Sequence, residues 1–391
     1  MGSSAPDRLK ILICLLYYFP HRTGLTIHVQ RIAEELVRRG HEVTVLTARY
    51  SDELPRDDRV MHEGVRVVRL WAPIHLSRGM IMPAYPWAAY TLMRDHDVVS
   101  AHTPMLETAL LAIMSWLSGT NIVVTHHGDL ILPKTSFANR FIQGAMFAMY
   151  RVLAARASRI LAYSQDYADH SYYLQPYQDK VSVVYPPIAM PEPRTDRVAA
   201  NRAEWSKEGA PVIGYAGRFV EEKRPDLALR ALDTIAQKYP GARLVFMGEY
   251  DIRYENTWEK YQSLVEAHRE QVIFLGLLHD PHDVADFYAA CDVVLLTSDT
   301  ECFALVQVEA MLCGTPMVMT DIPGGRVPVT LTGMGVLAKQ GDPVSIGEGV
   351  IAVLDDPARY RKTRQEIQDI FSFKETVDRY EHHFRQHARQ R

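Results

Sequence analysis

Cysteine is scarce in this chain, with four in 391 residues: Cys14, Cys291, Cys302 and Cys313. None has C-x-x-C spacing and all lie in apolar stretches, the pattern of reduced, buried thiols in a cytosolic protein, with no disulfide framework. Charge of either sign is in little excess: the net charge is −4, so no global field favours nucleic acid. Long apolar runs are absent too, and nothing approaches the ~18 residues a spanning helix needs. The run Ile11 to Phe19 follows Arg8 and Lys10 as a signal-peptide core would. It has no small-residue cleavage site, however, and passes straight into Pro20-His21-Arg22, so it reads as a buried first strand. No internal repeat or low-complexity segment occurs. A dinucleotide fingerprint is missing as well, because Gly333-Met334-Gly335 precedes the strand-like Val336-Leu337-Ala338 where a helix is required. The one D-x-D, Asp95-His96-Asp97, joins a helix to the strand at Val98 and reads as a loop, not a metal site.

What is present is strand alternating with helix. Apolar runs at 11–17, 42–47, 65–70, 98–101, 121–125, 159–163 and 181–184 are separated by helix-length segments. The pattern restarts at 211–216, 243–247, 272–275, 293–296 and 316–320. Continuous Val/Ile/Leu runs imply strands covered on both faces, hence parallel sheets. At this length, two doubly wound α/β domains are expected. The proline-stiffened stretch Tyr185 to Pro193 separates the two series. It sets the domains at 1–187 and 188–372. A final segment, 373–391, is helical, with Phe373, Val377, Tyr380 and Phe384 at helical spacing.

Three segments carry chemistry. In Glu301-Cys302-Phe303-Ala304-Leu305-Val306-Gln307-Val308-Glu309 two carboxylates stand eight residues apart among apolar side chains. The segment after Glu301 reads as a buried helix, and a buried carboxylate is costly unless paired. Backbone N–H groups at Phe303, Ala304 and Leu305 would open the helix, where an anion is favoured. In Gly217-Arg218-Phe219-Val220-Glu221-Glu222-Lys223 a glycine follows a strand, allowing close backbone approach, and two cations can neutralise a diphosphate. In Val123-Val124-Thr125-His126-His127-Gly128-Asp129, His127 stands at the carboxyl end of a strand, where open α/β sheets bind ligands. His126 reads as structural, and His102, also following a strand, as either lining the cleft or, more often for a lone histidine there, a satisfied loop residue.

The stretch Glu301 to Gly325 resembles the E-x7-E segment of family-4 glycosyltransferases, retaining enzymes of the GT-B fold, and the Arg218/Lys223 loop resembles that family's G-R-x4-K pair. The resemblance spans nearly the whole chain. It implies two Rossmann-like domains facing each other across a cleft, with 1–187 taking the acceptor, 188–372 the nucleotide-sugar donor and 373–391 crossing back as a last helix. It further implies that Arg218 and Lys223 hold the donor diphosphate, Glu301 lies by sugar and diphosphate, Glu309 accepts from the ribose, and His127 contacts the transferred sugar. Gly24, Gly217, Gly276, Leu277, Phe303, Ala304 and Leu305 would line the donor, Gly276 and Leu277 beside the base. No metal or other cofactor is expected.

Departures from the family pattern also occur. Thr23-Gly24 stands where two glycines are usual, Gly248-Glu249-Tyr250 replaces a more glycine-rich turn, and Arg326 follows Gly325 where many members have an acid. They suggest a subfamily with its own donor or acceptor. The implied activity is metal-independent, retaining transfer of a hexosyl unit from a UDP- or GDP-sugar to an acceptor hydroxyl of a lipid or cell-envelope glycan precursor. The aromatic, Met-rich segments 80–90 and 137–153, with Arg140, Arg151, Arg156 and Arg159 interspersed or following, would suit peripheral contact with the cytoplasmic face of the membrane. Two rivals remain: a nucleotide-sugar epimerase of similar shape, and a non-catalytic sugar-nucleotide-binding protein.

Overall fold

The computed structural model describes residues 8–55, 60–76, 79–130, 137–252 and 256–389. The chain divides into two compact units: unit one is 1–187 with 373–391, and unit two is 188–372.

Unit one contains strands β1 (Lys10–Cys14), β2 (Glu42–Arg49), β3 (Val60–His62), β4 (Val65–Trp71), β5 (Ile74–Leu76), β6 (Gly79–Ile81), β7 (Val98–Thr103), β8 (Ile122–His126), β9 (Arg159–Ala162) and β10 (Val181–Val183). Eight form one sheet in the order β10-β9-β8-β7-β1-β2-β4-β3, while β5 and β6 pair as a hairpin. Neighbours run parallel except β3 against β4. Strands β3, β5 and β6 were not anticipated. Each is three residues long, too short to show a period.

Helix Gly24–Arg38 follows β1, capped by Thr23, whose hydroxyl accepts from the Thr26 N–H at 3.3 Å. It lays Val29, Ile32, Ala33 and Leu36 on the sheet. The last helix, Phe373–His387, buries Val377, Tyr380 and Phe384 in that same cluster, each contributing about 1.5–3 kcal/mol by burial. Arg39 ties its polar side down, donating to Asp378 at 2.7 Å and Glu381 at 3.0 Å.

Unit two contains β11 (Val212–Ala216), β12 (Arg243–Met247), β13 (Val272–Gly276), β14 (Val293–Leu296), β15 (Met317–Thr320) and β16 (Gly335–Ala338), all parallel, in the order β13-β12-β11-β14-β15-β16. Strand direction of winding reverses between β11 and β14. In unit one it reverses between β1 and β7. Loops leaving the carboxyl ends of two such strands depart in opposite directions, and that leaves a crevice where ligands bind in open α/β sheets. Helix Pro225–Ala236 covers one face with Leu229, Leu232 and Ile235.

Candidate functional site

In unit two, the reversal brings the β11 and β14 loops together. After β11 the chain makes one 3₁₀ turn, Glu221–Lys223. The Tyr215 hydroxyl donates to the Lys223 carbonyl at 2.7 Å, and the Thr297 hydroxyl, just beyond β14, lies 2.9 and 2.8 Å from the Lys223 and Arg224 carbonyls. With its backbone held, Lys223 donates its ammonium directly to Glu301 Oε1. Ser298 donates to the same oxygen at 2.8 Å. Burial works against the ammonium, but the Glu301 charge and hydrogen bond outweigh it and hold the Lys223 pKa above its ordinary value. Arg218, a turn earlier, reaches Glu222 at 3.5 Å.

Two glycines allow the loops to meet. At Gly248, after β12 (φ +146°), a Cβ would stand 1.9 Å from the Gly217 carbonyl oxygen. At Gly324, after β15 (φ +76°), it would meet the Glu301 carbonyl oxygen at 2.6 Å, where the two residues form a β-bridge. A side chain at either site would drive two ligand-edge loops apart. Gly276 ends β13 and accepts from the Gly248 N–H at 2.9 Å, with Leu277 exposed beyond it.

The helix expected directly after Glu301 starts later, at Leu305, and ends at Leu312. Residues Cys302, Phe303 and Ala304 form an irregular turn because Glu301 is drawn into its bridge with Gly324. Ala304 must then enter the left-handed region at φ +60° to start the helix, a strained backbone for a residue with a Cβ. Phe303 is fully buried there, against Phe371. Glu309, one helical turn on from Leu305, is half-buried and accepts from the Tyr288 hydroxyl at 3.4 Å. Gln307 pins the glycine turn from below, donating to the Gly325 carbonyl at 2.6 Å.

In unit one, Gly24 is the first residue of its helix, and His127 follows β8. His127 does not stand alone. Its Nε2 lies 2.8 Å from His102 Nδ1, and its Nδ1 lies 2.5 Å from the Tyr163 hydroxyl. Tyr163 reaches His28 Nδ1 at 3.0 Å, and His28 Nε2 reaches the Tyr380 hydroxyl at 2.9 Å. The ends are closed by Ser100 on His102 Nε2 at 3.0 Å and Thr125 on Tyr380 at 3.2 Å. A neutral imidazole carries one donor and one acceptor, so all six bonds can be made at once, running in either direction. A proton added to one ring would make both of its nitrogens donors and turn the bonds on either side to run away from it. Burial lowers all three histidine pKa values, that of His102 to about 3, and mutual repulsion lowers His28 and His127 further.

Ring nitrogens of His28, His102 and His127 lie within 4.8 Å of one another, close enough to raise the question of a metal. Two nitrogens at ~2.05 Å from a tetrahedral zinc stand about 3.3 Å apart. The 2.8 Å between His102 and His127 is a hydrogen-bond separation instead.

His102 is therefore not a loop residue but the fifth residue of β7, 1% exposed. His28, Tyr163 and Tyr380 escaped the sequence reading. One signal existed: His28 interrupts the apolar stripe of its helix, four residues before Ile32. His126 instead packs inward, contacting Thr103 Oγ1 at 3.1 Å and Asp129 at 2.9 Å, and so fixes the loop that carries His127. In the D-x-D, Asp97 accepts from the Lys10 N–H at 2.8 Å at the amino end of the sheet, opposite the ligand edge.

Comparison with known proteins bears on this geometry. Residues 22–190 match the family described as Glycosyltransferase Family 4, and residues 198–369 match Glycosyl transferases group 1. The chain is 28% identical over 369 residues to a 2-deoxystreptamine N-acetyl-D-glucosaminyltransferase of Streptomyces fradiae, covering 87% of this chain and 84% of that one. It is 27% identical over 362 residues to a D-inositol 3-phosphate glycosyltransferase of Xylanimonas cellulosilytica, covering 86% and 84%. Among solved structures, Anabaena HepE in complex with UDP-glucose superposes with a TM-score of 0.75 at 19% identity, covering 97% of this chain and 98% of that one. With its two Rossmann-like sheets and family matches from residue 22 to 369, the chain belongs to the family-4 glycosyltransferases of the GT-B fold.

Proposed function

We propose that this glycosyltransferase moves a hexosyl unit from a UDP- or GDP-sugar to an acceptor hydroxyl with retention of configuration and without a metal. The observation that carries this reading is the Lys223–Glu301 pair at the winding reversal of unit two, with Arg218 on the same loop and Glu309 on the helix that follows. Before donor arrives, Glu301 neutralises the ammonium. A diphosphate would compete for Lys223 and, with Arg218, take up that charge. Glu301, released and still held by Ser298, would then accept from a sugar hydroxyl. Glu309 would accept from the ribose.

In the transfer step the acceptor oxygen bonds to the anomeric carbon as the carbon–oxygen bond to the diphosphate breaks. The bonding pair leaves with the nucleoside diphosphate, whose phosphate oxygen takes the acceptor proton on the same face. Arg218 and Lys223 would stabilise the charge that grows on the leaving group. His127, neutral, would hydrogen-bond the transferred sugar.

The acceptor in this reading is a lipid or cell-envelope glycan precursor, met at the cytoplasmic face of the membrane. Among the described residues no helix is long and apolar enough to cross a membrane, so contact would be peripheral. The test is incubation with labelled UDP- and GDP-sugars, with and without lipid extract. Nucleotide release that requires acceptor, with an α-linked product from an α-linked donor, supports the proposal. An altered sugar nucleotide without acceptor would identify an epimerase, and binding without turnover a non-catalytic protein.

A further inference from the structure

Three helices of unit one, Tyr85–Asp95, Thr108–Ser118 and Phe137–Arg156, pack side by side, the first also against β1. The outer faces of such a layer are ordinarily polar. Here they are not. Thr108–Ser118 contains no charged residue, and its outward stripe is Leu110, Ile113, Trp116 and Leu117, the tryptophan 70% exposed. On the flanking helices Trp87 is 76% exposed, and Phe137 and Phe141 are 85% and 70% exposed. Isolated apolar residues on a surface are unremarkable; a set spread over three adjoining helices marks an interaction site.

Charge narrows the choice of partner. The exposed arginines of the three helices are Arg94, Arg140 and Arg151, against a single acid, Asp95, on a chain whose net charge is −4. A two-fold contact with a second copy would set this arginine-rich patch against itself with almost no carboxylate to pair. Aromatic side chains at bilayer–water boundaries, bordered by arginines that meet phosphate, describe a different occupant. We infer that this three-helix face docks the protein on an anionic lipid bilayer.

Thr108–Ser118 and Phe137–Arg156 follow β7 and β8 in the chain, so their first turns start at the carboxyl edge of the sheet. Leu110 and Phe137 lie in those turns, Ile113 and Phe141 in the turns that follow, and His127 leaves β8 at that edge. A bilayer touching this end would present lipid headgroups where the acceptor is needed. That use of the surface rests on the proposed transfer reaction, whereas the docking does not.

The experiment is co-sedimentation of the full chain with vesicles of phosphatidylcholine alone or mixed with phosphatidylglycerol, at low and high salt. Wild type is expected to bind the anionic vesicles, weakly the neutral ones, and less in high salt. The double variants Phe137→Ser/Phe141→Ser and Arg140→Glu/Arg151→Glu should each weaken partition by about tenfold or more, with melting temperature and nucleoside diphosphate affinity unchanged. Failure of folded wild type to bind anionic vesicles overturns the inference, as does binding that neither variant reduces. So does a dimer in sedimentation velocity that the variants dissociate while vesicle binding stays absent. Nucleotide binding belongs to unit two and is read separately, so failure of the transferase reading is distinguishable from failure of the docking.

Discussion

The two units wind in the same way and solve opposite electrostatic problems at the same topological place. At its reversal unit two keeps opposite charges in contact, Lys223 on Glu301. Unit one, at its own, keeps a series of neutral groups from Ser100 through His102, His127, Tyr163 and His28 to Tyr380. A charged pair can be exchanged for a charged ligand. A closed series of single hydrogen bonds fixes orientation without charge. The common fold thus supplies the location and leaves the chemistry to a few side chains on the loops.

The largest break in this comparison should come from the charged side. Lys223→Ala removes both the diphosphate contact and the partner of Glu301, and kcat/KM should fall about 10²–10³-fold, as for the loss of one preorganised charge-stabilising donor. Steady-state kinetics with a labelled donor measures it. Next, Glu309→Ala should weaken nucleoside diphosphate affinity about ten- to hundredfold, equivalent to about 1.5–3 kcal/mol for hydrogen bonds to a charged group, with melting temperature nearly unchanged. Titration calorimetry beside a thermal melt checks both, and a drop in stability with binding intact would oppose the ribose role.

On the neutral side, Tyr163→Phe cuts the series between His127 and His28, leaving two ring nitrogens without their partner. We expect a loss of about 1–3 kcal/mol in stability and a lower kcat with little change in nucleotide affinity. Kinetics with nucleotide titration separates the two. A change of pH tests the same series without a substitution. All three histidines have folded pKa values below the ordinary one, His102 at about 3. Below about pH 6.5 the unfolded chain therefore takes up protons that the folded one refuses. Stability should fall as pH drops through that window, by up to about 1.4 kcal/mol per pH unit for each histidine. Hydrogen exchange across pH 7 to about 5 should show β7 and β8 losing protection before β11 and β14.

The legibility of the sequence followed the range of the interactions. Strands such as Arg243–Met247 and Val293–Leu296 announce themselves because burial on both faces demands unbroken apolar runs. The Lys223 loop and the Glu301 block stood out in the sequence because each keeps its charged groups within one short segment. The late start of the helix at Leu305 was not, since it depends on Gly324, more than twenty residues away, bridging to Glu301. The partners of His127 were hidden for the same reason. His28, His102, Tyr163 and Tyr380 come from four separate elements, and single residues carry no periodicity that would mark them as neighbours. Likewise only the packed layer reveals which side of Thr108–Ser118 is turned outward.

In the proposed reaction the cations of unit two bind the nucleoside diphosphate. Calorimetry of UDP and GDP against wild type and Arg218→Ala/Lys223→Ala tests it most directly. The expected result is saturable binding of one of them by wild type, weakened by about a hundredfold in a variant that still melts cooperatively. Equal affinity in the two proteins would contradict it.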